Sequence, residues 1–559
     1  MLELQNEIKS FDFSFINNLA KNKHKKAYQG IVQYGTAGFR TRATSLDHVL
    51  FRMGLLTVLR SQVKKATIGL MITASHNLEI DNGVKVVDPN GEMLETSWEI
   101  IATKLANVED DKVISILQEI IKEQNIDTSL SASVIIGRDT RSSSLNLSQA
   151  AVSGIKAMNS KFIDVGVVTT PQLHYFVVSM NKNRDYGIPA LEGYYKKISE
   201  AYKKIIETTI NNGKYSNKVQ LDAANGVGAL AIKELKKYLN GALNIEIYNS
   251  GEGQLNYMCG ADYVKQKKIS PLNIPINPYV KCVSIDGDAD RIVYYYIDKY
   301  NQFHLLDGDR IAILVADYLK ELLQQSHLNL QLGLVQTAYA NGNSTVYISD
   351  TLNIPVACVR TGVKYLHHKA LEFDIGVYFE SNGHGTVVFN ESAINTIYMT
   401  ANNNSLSSIQ RKAAQTLSYV IDVVNQTVGD AISDMLLVEL ILHAKGWDIV
   451  TWKKSYSDLP NKQVKIEVQD RNAIITTNEE RCCIKPKELQ KEIDKIVTKY
   501  EKGRSFVRSS GTEDVVRIYV ECENDSDIDK MAAEVSLAVY ELAGGIGIKP
   551  IIPESNKQI

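Results

Sequence analysis

No Cys-x-x-Cys pair occurs in this chain, and no Cys/His cluster has zinc-site spacing. Its six cysteines, Cys259, Cys282, Cys358, Cys482, Cys483 and Cys522, are too few in 559 residues to be a disulfide framework. A reducing compartment is therefore expected. No apolar run approaches the roughly 20 residues of a membrane span, and the early Glu3, Glu7, Lys9 and Asp12 do not fit a signal peptide. The expected location is the cytoplasm. Neither sign of charge is in excess: 62 basic residues face 64 acidic ones, for a formal net charge of −2. Such a balance offers nucleic acid or an anionic membrane no global field, so any anionic ligand must be held by a local cluster. Low-complexity tracts are absent as well.

What is present is an ordinary globular composition, 44% hydrophobic and 23% charged, in a chain too long for one core, since single cores stop growing near about 250–300 residues. Strand-like runs such as 67–72, 133–136, 218–222, 283–285 and 333–336 alternate with helix-like runs such as 144–158, 228–239, 309–325 and 429–443. That alternation predicts α/β units with largely parallel sheets. After Trp452 the pattern changes to strands at 464–468, 473–477, 505–508 and 515–522 with helices at 486–499 and 525–543, an α+β module. The fold class expected is three consecutive mixed or parallel-sheet α/β domains plus a C-terminal α+β domain, with bounds at 1–183, 184–300, 301–445 and 446–559.

Four short segments carry chemistry. Ile72-Thr73-Ala74-Ser75-His76-Asn77 places a serine at the mouth of a strand, with Lys85 soon after and Arg40 in an earlier turn. A serine nucleophile must be activated by a nearby base or charge. Asp286-Gly287-Asp288-Ala289-Asp290-Arg291 sets three carboxylates at alternate positions of a tight loop, an oxygen-only donor set suited to Mg²⁺. An EF-hand would need Gly at the sixth position and Glu at the twelfth, where Arg291 and Ile297 stand. Phe379-Glu380-Ser381-Asn382-Gly383-His384-Gly385-Thr386 offers acceptors and an amide to hydroxyls, and Thr361-Gly362-Val363-Lys364 a backbone and hydroxyl contact. Arg508-Ser509-Ser510-Gly511-Thr512-Glu513 with Arg517 combines a glycine, hydroxyls and guanidinium groups, as a phosphate cradle requires. Arg138-Asp139-Thr140-Arg141 reads as a structural ion-pair turn. A competing pattern, Gly226-x-Gly228-x-x-Ala231 after a strand and with Glu246 beyond it, fits a dinucleotide-binding turn and keeps a nicotinamide-dependent oxidoreductase as an alternative.

Taken together, the four segments resemble the loops of the α-D-phosphohexomutase superfamily, in the family's order and across nearly the whole chain. The sequence Glu-Ser-Asn-Gly-His-Gly-Thr, the stretch Leu255–Asp262, Thr361–Lys364 and Thr512–Arg517 resemble the branch that acts on N-acetylglucosamine phosphates. Glucose and mannose phosphate mutases of the same superfamily, and a catalytically silent phosphosugar sensor, are the other readings. The resemblance implies interconversion of N-acetylglucosamine 6-phosphate and 1-phosphate, a step of UDP-N-acetylglucosamine biosynthesis, in a central cleft. It also implies an activating hexose bisphosphate and a monomer. Ser75 would be a phosphoserine whose phosphoryl group completes an Mg²⁺ site with Asp286, Asp288 and Asp290, next to Arg291. Lys85 and His384 would be candidate bases, and Arg40 and His76 polarising groups. Thr361, Gly362, Glu380, Ser381 and Asn382 would contact the sugar; Arg508, Ser510, Gly511, Thr512 and Arg517 would hold the phosphate that is not reacting. Leu78 and Ser509 stand where the family has proline, so two looser loops are expected, and Ser381 stands where it has alanine, which adds a hydroxyl beside the sugar.

Overall fold

The computed structural model describes residues 11–211, 213–510 and 514–553. The backbone falls into two compact units. The first comprises residues 1–307, 382–387 and 400–449, and the second 308–381, 388–399 and 450–559. Residues 400–445 of the third expected domain and 446–449 of the fourth thus pack with the N-terminal half of the chain.

Two five-stranded sheets organise the first unit. In one the order is Phe39–Arg42, Asp81–Val87, Thr67–Ile72, Ser133–Arg138, Lys161–Val167. In the other it is Phe303–Leu306, Ile292–Ile297, Cys282–Ile285, Lys218–Asp222, Asn244–Tyr248. Each has parallel strands on one side and antiparallel ones on the other, so the sheets are mixed. The middle strand of each, Thr67–Ile72 and Cys282–Ile285, is buried along its whole length. Apolar residues on both faces give such strands their continuous hydrophobic reading. The Ser75 loop leaves the carboxyl end of the first middle strand, and the Asp286 loop that of the second. Strand carboxyl ends are where α/β sheets build their sites.

Helix Asp47–Lys64 gave no helix signal in the sequence because it is buried on nearly every side, from His48 to Gln62. A helix without a polar face loses the amphipathic period that reveals surface helices. Its two buried arginines are neutralised: Arg60 pairs with Asp88, and Arg52 Nη2 lies 2.8 Å from Asp110. Helix Leu191–Thr208 was also unforeseen; it brings Tyr194 against Asp430.

In the second unit the strands Val356–Val359 and Ile375–Phe379 flank Leu332–Thr337, both parallel to it. The C-terminal sheet is antiparallel, with Val515–Glu521 between Asn461–Glu467 and Arg504–Ser509. Alternation sends Val516, Ile518 and Val520 into a core shared with Leu489, Ile493, Met531 and Val535 of the helices Lys487–Val497 and Asp525–Leu542, while Arg517 faces solvent. A two-stranded hairpin, Ile475–Thr477 with Cys482–Lys485, adjoins this sheet.

Candidate active site

Ser75 has a backbone φ of +50°, a left-handed conformation that a non-glycine residue enters at a cost. Side-chain donors hold it there. Its N–H donates to Thr73 Oγ1 at 3.0 Å, and the Thr73 hydroxyl donates to Asp139 Oδ2 at 2.8 Å. Its carbonyl accepts from Arg141 Nη2 at 3.0 Å and Asn256 Nδ2 at 2.8 Å, and the same two donors each reach the Asn77 carbonyl at 2.9 Å. Arg141 Nη1 adds the carbonyls of Leu78 at 2.7 Å and Asp81 at 3.0 Å. A buried guanidinium thus ties the Leu78 turn from inside. The ion-pair turn at Asp139–Arg141 is structural, as expected, and this turn is what it supports.

The Ser75 hydroxyl is fully buried and donates to Asp286 Oδ2 at 2.7 Å. Asp286, Asp288 and Asp290 bring carboxylate oxygens within 4.8 Å of one another. Their loop is shaped by local bonds: the Asp290 and Arg291 N–H groups donate to Asp286 Oδ1 at 3.0 and 3.1 Å, and Ala289 has φ +60°. Thr170 fixes Asp288 twice, its hydroxyl donating to Oδ2 at 2.7 Å and its N–H to the carbonyl at 3.2 Å. The Ala431 N–H, at the start of helix Ala431–Lys445, donates to the Ala289 carbonyl at 3.0 Å.

Charge in this pocket is strongly coupled. Burial pushes the Asp286 carboxyl well above the usual range, and Asp290 and Asp288 push it further. Burial opposes ionisation of Asp290 too, but Lys85 and His384 outweigh it and hold that carboxylate well below its ordinary value. Lys85 Nζ bridges Asp288 Oδ2 at 3.1 Å and Asp290 Oδ2 at 2.9 Å. Burial lowers the Lys85 pKa, yet these two carboxylates raise it on balance, so the ammonium is kept charged. Arg291 Nε lies 3.9 Å from Asp286 and 3.8 Å from Asp290. The His384 N–H donates to Asn382 Oδ1 at 3.0 Å, and His384 Nδ1 is 2.6 Å from the Asp290 carbonyl. A carbonyl only accepts, so Nδ1 carries the proton of that bond. Arg40 Nη1 lies 3.4 Å from His76 Nδ1, whose pKa burial and the charges of Arg291 and Arg40 hold well below 6.5.

The second unit holds the arginine-rich segment. Arg508 and Arg517 face each other across neighbouring strands, with Lys465 opposite Arg517 on its other side. Arg508 Nε donates to Tyr339 Oη at 3.0 Å. Thr361 donates its N–H to Glu480 Oε2 at 2.9 Å, and its hydroxyl to the same oxygen. Gly362 takes φ +130° at the start of helix Val363–Ala370, a conformation suited to glycine.

The chain matches the family "Phosphoacetylglucosamine mutase AMG1, domain III" over residues 307–447, the phosphoglucomutase/phosphomannomutase C-terminal domain over 459–538, and the α/β/α domain I of that family over 37–112 and 105–212. It is 50% identical to a phosphoacetylglucosamine mutase of Homo sapiens over 528 residues, 94% of this chain and 97% of that one. The chain belongs to the phosphoacetylglucosamine mutase family. A Candida albicans member is 45% identical over 92% of this chain and 97% of its own length. The crystal structure of the Aspergillus fumigatus N-acetylphosphoglucosamine mutase in complex with GlcNAc-6P and magnesium is similar too, with a TM-score of 0.90, 44% identity and coverage of 95% and 99% of the two chains. Family membership makes this chain a phosphohexomutase, an isomerase with the four-part mixed α/β architecture expected.

The acidic loop fits the family's Mg²⁺. Asp288 Oδ1 and Asp290 Oδ1 are buried and accept no hydrogen bond, an arrangement costly without a cation, and the donor set is oxygen alone. The Ser381 hydroxyl donates to Asp309 at 3.2 and 3.3 Å, and the residue is buried. The dinucleotide reading fails on space. A Cβ on Gly226 would lie 2.3 Å from the Gly287 carbonyl oxygen, which accepts the Val227 N–H at 3.1 Å. That turn is filled by the acidic loop it supports, and Glu246 accepts instead from Tyr248 Oη at 3.2 Å. Gly511 and Thr512 lie outside the described residues. Sequence reasoning missed Thr170, Asn256 and the anchoring role of Arg141. Asn256 stood inside the quoted stretch Leu255–Asp262, but its partner lies 181 positions away, and nothing in the sequence pairs the two.

Proposed function

We infer that the chain interconverts N-acetylglucosamine 6-phosphate and N-acetylglucosamine 1-phosphate, with Ser75 as the phosphoryl store. The observation that carries this reading is the buried Ser75 hydroxyl, 2.7 Å from Asp286 and held at φ +50° by Arg141 and Asn256. No such clamp is needed for an ordinary surface serine.

In the resting state Ser75 carries a phosphoryl group. Asp286, Asp288 and Asp290 would hold Mg²⁺, which neutralises charge on the group in transfer. The chain's own residues do the rest. A sugar hydroxyl attacks the phosphorus as the bond from phosphorus to Ser75 Oγ breaks. The hydroxyl proton passes to His384 Nε2 and is returned to Ser75 Oγ. Lys85, kept charged between Asp288 and Asp290, serves as a fixed positive charge rather than a base; Arg40 and neutral His76 position. After the bisphosphate turns over, its other phosphoryl group returns to Ser75 by the same steps reversed. Glu380, Asn382, Thr361 and Gly362 orient the sugar; Arg508, Ser510, Gly511, Thr512 and Arg517 hold the phosphate at rest. A hexose bisphosphate loads Ser75 at the start.

We place the protein in the cytoplasm as a monomer. All six cysteines are free thiols, and no helix among the described residues is long and apolar enough to cross a membrane.

Purified protein treated with glucose 1,6-bisphosphate should gain one phosphoryl group, at Ser75. Ser75→Ala should lose the modification and nearly all turnover. A Ser75→Ala protein with full mutase activity refutes the relay.

A further inference from the structure

The hairpin between Thr477 and Cys482 carries an unusual tip. Asn478, Glu479 and Glu480 have φ of +52°, +55° and +69° in succession. Asparagine tolerates that region; two adjacent glutamates adopt it only when held. Arg481 secures one side through Nε to the Asn478 carbonyl at 3.1 Å and Nη2 to Asn478 Oδ1 at 2.8 Å. The other side is secured by the glutamates. Glu479 Oε2 accepts the Arg360 N–H at 3.0 Å. Glu480 Oε2 accepts both the N–H and the hydroxyl of Thr361, and lies 3.9 Å from Arg508 Nε.

A backbone N–H and a hydroxyl donating to one oxygen, with a guanidinium at ion-pair distance, are the setting of an anion site. Thr361 and Arg508 are the residues read above as substrate contacts, and both converge on a carboxylate of the chain itself. The Glu480 side chain is only 18% exposed and that of Arg508 17%, so the contact is sheltered from screening solvent. A carboxylate here cannot coexist with a sugar phosphate on the same donors, because like charges would share one cradle.

We propose that Glu480 is a built-in competitor for the phosphosugar: its carboxylate occupies the Thr361 donors beside the Arg508 charge in the free protein and must swing out for substrate to bind. The hairpin suits this role. It is a separate two-stranded ribbon, little stabilised by its own ladder, and its strained tip is relieved on release. The residue thus sets substrate affinity without touching the reacting atoms. This inference rests on the reading of Thr361 and Arg508 as substrate contacts.

Calorimetric titration with N-acetylglucosamine 6-phosphate tests it. Glu480→Gln keeps the shape but removes the charge that makes such bonds about twice as strong. Its dissociation constant should fall about tenfold, with KM falling alongside and kcat not rising. Glu479→Gln, which changes the same tip but only the Arg360 contact, should bind as the unmodified chain does. Unchanged or weaker binding by Glu480→Gln overturns the proposal, as does equal tightening in Glu479→Gln. Should the unmodified chain bind the sugar phosphate yet show no mutase turnover, the functional reading fails while the Glu480 comparison still decides.

Discussion

Asn256 Nδ2 donates to the carbonyls of both Ser75 and Asn77, at 2.8 and 2.9 Å, so a residue far along the chain fixes the conformation of the serine proposed as the phosphoryl store.

Replacing Asn256 with Ala should therefore slow turnover about 10–100-fold, the range for residues that orient a reactive group, and leave KM for the sugar phosphate nearly unchanged. The rate at which glucose 1,6-bisphosphate labels Ser75 should fall by the same factor. A variant that melts earlier but labels at the normal rate would assign Asn256 to stability alone.

Thr170→Val removes the hydroxyl bonded to Asp288 and keeps the volume. It should raise the Mg²⁺ concentration needed for half-maximal activity by about tenfold. Chelation should abolish turnover in the unmodified chain, and added Mg²⁺ should restore it. Identical Mg²⁺ curves for the two proteins would dismiss the role.

Arg310 in the second unit is almost fully buried. Its Nε and Nη2 lie 3.0 and 2.7 Å from Asp458 Oδ2, and its remaining donors reach the carbonyls of Lys453 and Tyr456 at 3.0 and 3.1 Å. Asp458→Ala leaves that charge unpaired and should cost about 3–5 kcal/mol, read as a lower urea midpoint. A change under about 0.5 kcal/mol would mean that water replaces the carboxylate at no cost.

Two buried histidines give a pH dependence. Burial lowers His48, helped by Arg52, and His367, helped by His368, each to about 4. Unfolded histidine titrates near 6.5, so the folded state favours the neutral ring. The stability contributed is complete above about pH 6.5 and is lost as pH falls through 6.5 towards 4, by at most about 1.4 kcal/mol per pH unit for each group. His367→Gln should lose less stability between pH 7 and 5 than the unmodified chain. Equal losses in urea titrations would show that His367 does not titrate with unfolding.

Much of this was legible in sequence because it is local. Helix Gly228–Leu239 has the bounds its apolar pattern gives, and the Asp286–Asp290 loop converges because alternate residues of one tight turn must. What escaped is what the fold brings together from afar. Asn256 meets Ser75, and Thr170 meets Asp288, only after two sheets have packed. Ser381 donates to Asp309, 72 positions earlier, a partner that nothing in its own loop announces. Helix Asp47–Lys64 hid behind its own complete burial. The left-handed turn at Ser75 left no mark, since glycine, the residue that would announce it, is not there.

Lys85 bridges Asp288 and Asp290. Its ammonium is a tethered stand-in for a counter-ion, present from the moment the strands pair. Carboxylates gathered in one buried turn repel one another, and a positive charge supplied by the chain itself offsets part of that repulsion wherever the loop forms.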